Sequence, residues 1–120
     1  MKTEWRFAGL KTGKGNVIRD FVSKDVGLQT RIEAFLRRLK VQQRWHTNDF
    51  DNSMGDGIGE LRIDYQKVEQ RLYGFFEPGM RFIVVIASSG KKRQQKTIQA
   101  AKALKREFDR GCHETEDYDV

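Results

Sequence analysis

Residues 58–88 read IGELRIDYQKVEQRLYGFFEPGMRFIVVIAS, and this stretch decides the fold. Its first eight residues alternate. Leu61, Ile63 and Tyr65 fall on one side of an extended chain and Glu60, Arg62 and Asp64 on the other, the period of two expected of a half-buried strand. Val68 to Glu77 forms a second run, closed by Pro78 and Gly79. That pair suits the centre of a type II turn, because proline presets φ and glycine accepts a positive one. Arg81 to Ser88 is the most apolar segment of the chain and reads as a central strand. The three runs, 58–65, 68–77 and 81–88, predict an antiparallel meander.

Upstream, residues 4–10 alternate loosely and predict a first strand, and residues 11–15 a turn. Asn16 suits a helix N-cap, with Val17, Ile18, Phe21 and Val22 at helical spacing behind it, so 17–25 reads as a short helix. Gly27 separates it from a longer helix, on which Leu28, Ile32, Phe35, Leu36 and Leu39 form one apolar stripe. Two helices about a tight break predict a helical hairpin. Residues 45–57 show no period and read as a long loop. Downstream, Ile98, Ala101, Leu104 and Phe108 mark a third amphipathic helix, capped by Thr97 and ended by Gly111. The expectation is a single domain over 1–111, with 112–120 as an acidic, flexible tail.

Composition narrows the class. With 120 residues, 38% hydrophobic and 33% charged, the chain suits one globular domain that folds without a disulfide framework or a structural metal. No apolar run approaches the length of a membrane span, and the first residues lack a secretory signal's apolar stretch. A lone cysteine, Cys112, excludes an internal disulfide and suits the reducing cytoplasm. The net charge is +6, yet the last ten residues hold four carboxylates and no Lys or Arg. The rest of the chain therefore carries a still larger positive excess, which steers polyanions toward it.

No chemistry-bearing motif is complete. His46 and His113 lack partners at metal-ligand spacing, and the glycines at 13 and 15 do not make a phosphate loop. No metal or other cofactor is expected. What remains is a set of cations on the sheet: Arg62 on the polar side of its strand, Arg71 alternating with Tyr73 and Phe75, and Lys91, Lys92 and Arg93 after the central strand. Such a set could grip phosphates while the aromatics stack on bases. Alternatively, Arg62 and Arg71 pair with Glu60, Glu69 or Glu77, and Tyr73 and Phe75 belong to the core.

Through GIGELR at 57–62, QRLYGFF at 70–76, FIVVIA at 82–87, GKK at 90–92 and the Ala/Lys-rich last helix, the sequence resembles the RelE/ParE toxin superfamily, in its HigB-like phage-protein branch. The resemblance covers about half the chain. It implies an α+β fold: a twisted antiparallel sheet of about four strands, packed by an N-terminal helical hairpin, with a C-terminal helix. It also implies a toxin that cuts mRNA on the ribosome by attack of a ribose 2′-OH on the adjacent phosphate, and that a cognate antitoxin neutralises. Arg71 and Lys92 match the family's catalytic cations, with Arg62 and Lys91 as supporting phosphate contacts; cations so placed offset charge in the transition state. Glu60 is chemically suited to be the general base and equally to be an ion-pair partner. Two alternatives share the resemblance: a noncatalytic relative that binds RNA or a protein, and a ParE-like inhibitor of DNA gyrase.

Overall fold

The computed structural model describes residues 3–90 and 92–120. In chain order the elements are β1 (Arg6–Thr12), β2 (Gly15–Asn16), α1 (Val17–Val22), α2 (Val26–Lys40), β3 (Phe50–Asp51), β4 (Gly59–Tyr65), β5 (Val68–Glu77), β6 (Arg81–Ser89), α3 (Gln95–Asp109) and β7 (Thr115–Asp117). The sheet order is β2-β1-β6-β5-β4-β3, with β7 paired to β1.

This corrects the expected fold. The class is α+β, but the sheet has seven strands rather than about four and is mixed rather than antiparallel. β1 precedes the helices and runs parallel to β6, with Phe7 opposite Phe82 and Gly9 opposite Val84. A parallel neighbour needs a crossover, and the helices and the meander supply it. The extra strands are short. β3 lies within the stretch read as a loop, and β7 within the residues read as a flexible tail.

The meander itself forms as its pattern predicts. β4 and β5 pair from Gly59–Gly74 to Tyr65–Val68 around Gln66 and Lys67, both at positive φ (52° and 65°). That is the backbone of a two-residue type I′ hairpin, whose twist matches the strands. Between β5 and β6 the connection is three residues long, with Gly79 and Met80 both at positive φ, so the turn extends one residue beyond the expected pair.

Both sheet faces are covered. On one, Ile32, Phe35, Leu36 and Leu39 of α2 pack with Ile18 and Val22 of α1 against Phe7, Leu61, Ile63, Leu72, Phe82 and Val84. On the other, Ile98 and Ala101 of α3 meet Ala8, Tyr73, Phe75, Ile83 and Val85. Asn16 caps α1 through a bond from the Arg19 amide (2.9 Å). Asp25 caps α2, placing Gly27 inside its first turn rather than between the helices. For α3 the cap position is Gln94, with no side-chain cap, and Thr97 lies within the helix.

The acidic segment is docked. β7 pairs antiparallel with β1, Tyr118 is buried, and its hydroxyl donates to Glu33 on α2 at 2.6 Å. Glu114, Glu116 and Asp117 reach Lys11, Arg19 and Arg81. Complementary charge and a free β1 edge explain why nine residues with little apolar content stay on the body. Among the described residues, no helix is long and apolar enough to cross a membrane.

At Gly74 the β5–β6 register shifts, and a Cβ there would sit 2.1 Å from the Ile83 carbonyl oxygen and 2.7 Å from the Phe82 ring. Gly74→Ala is expected to destabilise the protein by about 1–3 kcal/mol through overpacking, read as a lower urea midpoint with an unchanged slope.

Candidate functional site: a buried carboxylate between two arginines

The α3 face of the sheet is apolar at β1 and β6 but polar at β4. Glu60 points there and is fully buried. Its register partner on β5 is Tyr73, and Arg62 faces Arg71 two pairs further along. Two guanidiniums share the Glu60 carboxylate: Arg71 Nη1 donates to Oε1 at 3.2 Å and Arg93 Nε to Oε2 at 2.9 Å. Arg93 comes from the turn ahead of α3 and also binds Asp51 on edge strand β3. The other end of Arg71, Nη2, pairs with Glu69 on its own strand.

The candidate residues thus divide. Arg71, Glu60, Arg93 and Tyr73 meet in one cluster, and the Arg71 side chain keeps only 8% of its surface exposed. Lys92, next in sequence to Arg93, is exposed and, among the described residues, forms no ion pair. Arg62 turns away: its Nη2 donates to the Thr47 carbonyl at 2.5 Å, and no bond joins it to Glu60. Lys91 lies outside the described residues.

Tyr73, expected to offer its ring to a base, has no exposed surface and forms core with Phe75. Its hydroxyl lies near Ser88, whereas Arg71 Nε has no hydrogen-bond partner among the described residues. Burial first, and then the nearby Glu60 charge, push the Tyr73 hydroxyl above its ordinary pKa, so it remains a proton donor throughout the physiological range. Arg93, grouped by sequence with the exposed lysines, instead folds back to close the cluster; its charge is held by Asp51 and Glu60.

Chemically, the cluster fixes a guanidinium on a buried carboxylate and leaves its second nitrogen facing a partly exposed anion, Glu69, whose side chain is 40% exposed. Among the described residues, no group of three or more His, Cys, Asp or Glu is placed to hold a metal ion. Comparison with protein-family models, with curated proteins and with solved structures returns no match.

Because Glu60 compensates two buried or half-buried cations, Glu60→Gln is expected to cost about 3–5 kcal/mol in urea denaturation. Arg62→Ala, losing one bond to a carbonyl, is expected to cost about 0.5–1.5 kcal/mol by the same measurement. The Asp51 carboxyl is lowered from 3.8 to about 2, chiefly by hydrogen bonds from Ser53, with Arg93 adding to them. A depressed carboxylate stabilises the fold above its unfolded value and loses that contribution as pH falls through its folded value. The wild type is therefore expected to lose stability between about pH 4 and pH 2 more steeply than Asp51→Asn, as followed by thermal denaturation across that range.

Proposed function

We propose that this protein is a toxin of the RelE/ParE class that cleaves mRNA on the ribosome. One observation carries the reading. Arg71 is anchored on one side by buried Glu60, while its outward nitrogen already binds an anion, the half-exposed Glu69 carboxylate. A substrate phosphate displacing Glu69 would meet a guanidinium held in place beforehand, the preorganisation that electrostatic catalysis requires. Lys92, exposed and next in sequence to Arg93, supplies a second cation. The net charge of +6 favours encounter with RNA.

In this chemistry the ribose 2′-oxygen attacks the neighbouring phosphorus and loses its proton to a base. The bond from phosphorus to the 5′-oxygen breaks, and that oxygen takes up a proton. Arg71 and Lys92 offset the charge that builds on the phosphate oxygens. Glu60 acts as a positioning residue for Arg71 and Arg93, since both its oxygens are occupied by guanidinium nitrogens. A cognate antitoxin is the protein partner this reading calls for.

A second reading draws on that same occupancy. With Glu60 engaged at both oxygens and fully buried, the cluster suits a noncatalytic protein that holds RNA phosphate without cutting it.

Inducing wild type, Arg71→Ala and Lys92→Ala in a bacterium while mapping mRNA ends separates these. Cleavage predicts growth arrest with new ends, reduced at least about tenfold in Arg71→Ala and less in Lys92→Ala. RNA binding without new ends would sink the toxin reading in favour of the second. DNA breaks with induced repair would point to gyrase and overturn both.

A further inference from the structure

Around the β3 edge from the arginine cluster lies a cleft of about 310 Å³, lined by Trp5, Arg44, Trp45, Phe50, Asn52 and Phe76 among others. The rings come from three separate stretches of chain yet lie close: Trp5 to Trp45 at 4.9 Å, Trp5 to Phe76 at 5.2 Å and Phe50 to Phe76 at 5.3 Å between centroids. Both indole N–H groups are bonded to the end of α2 and the residues just after it, Trp5 to the Gln42 carbonyl and Trp45 to that of Leu39, so the indoles are fixed. Phe50 lies against Gly59, where a Cβ would meet its ring at 2.3 Å. Phe76 nevertheless leaves 45% of its surface in solvent, an unusual exposure for a phenylalanine beside so many rings.

The rim is polar and positive. Arg44 is exposed, and among the described residues it has no carboxylate within ion-pair distance, although Arg38 on the nearby helix is tied to Asp49. Phe50 and Asn52 also border a second cleft of about 270 Å³ formed with Thr47, Asp51 and Arg62. Asp51 binds Arg93, so the aromatic cleft connects by way of β3 to the Glu60–Arg71–Arg93 cluster.

We infer that this cleft is a stacking subsite for an unpaired base of single-stranded RNA, with Phe76 as the exposed ring and Arg44 as the phosphate contact. Fixed aromatic faces beside a free guanidinium and an amide are the chemistry by which proteins hold unstacked bases. A purely apolar partner surface would leave Arg44 without a role. The inference deepens the RNA reading above and rests on it for its ligand class.

Both tryptophans of the chain, Trp5 and Trp45, line the cleft, so intrinsic emission reports on this site. Purified full-length protein is titrated with a hexaadenylate RNA and with an RNA duplex of equal length. Saturable quenching is expected with the single strand and not with the duplex. Phe76→Ala should weaken binding by about 5- to 100-fold, the loss of one base–aromatic stack. Phe76→Leu keeps the apolar bulk and guards against a folding defect, checked by circular dichroism; it should be weakened nearly as much. Arg44→Ala should make the salt dependence shallower by about one phosphate contact.

Absence of quenching, equal quenching by the duplex, full binding by Phe76→Leu, or quenching by an apolar helical peptide but not by RNA would each overturn the subsite. Single-strand quenching lost in Phe76→Leu, without new mRNA ends in cells, would leave the subsite standing and remove the toxin. New ends without quenching would do the reverse.

Discussion

The parallel pairing of β1 with β6 governs the rest of the molecule. It places two strands, apolar on both faces, at the middle of the sheet, so each face must be covered by helices. The α1 and α2 layer covers one face broadly. On the other, α3 packs over β5 and β6, and β4 is left to be closed by different means. Strand pairing fixes Glu60 on that side, opposite Tyr73. The carboxylate is held by guanidiniums from β5 and from the turn that leads into α3.

Such a closure has a cost that apolar packing does not. A buried carboxylate and a nearly buried arginine lose hydration, and their mutual attraction recovers it only when the geometry is complete. Glu60 satisfies both its oxygens, but among the described residues Arg71 Nε remains without a partner. An unsatisfied donor beside a satisfied ion pair is more readily explained as a place for something polar to enter than as part of a finished core. Nε belongs to the same guanidinium whose Nη2 faces the partly exposed Glu69 carboxylate.

The meander, the Asn16 cap and the helical stripes were legible because each follows from a local period or a single cap residue; of the turns, only the place of the second was, through Pro78 and Gly79. β3 and β7 were not. At two and three residues they have no period to read, and their existence depends on partners outside their own stretch: Phe50 on Leu61 across the loop, and Thr115 on Leu10 near the other end of the chain. The seven-stranded, mixed character of the sheet was hidden for the same reason. Within the candidate site, the meeting of Glu60 with Arg71 followed from alternation on adjacent strands. The fold-back of Arg93 depended on where the turn after β6 leads, and its two lysine neighbours made it look like one more exposed cation. The aromatic cleft gathers Trp5, Trp45, Phe50 and Phe76 from segments that share no pattern. Tyr73 was misread because β5 is covered on both faces, so alternation did not identify a solvent side.

The docking of β7 also bears on how the protein behaves among other copies of itself. β1 would otherwise present a row of free amides and carbonyls along its outer side, a template for pairing with any extended chain. β7 takes up part of that row, with Ala8, Gly9 and Leu10 paired to Asp117, Glu116 and Thr115, and at three residues it is too short to offer much of an edge itself. The acidic segment is thus a guard against self-association: it ends the sheet where hydrogen bonding alone would let the sheet continue into a neighbouring molecule.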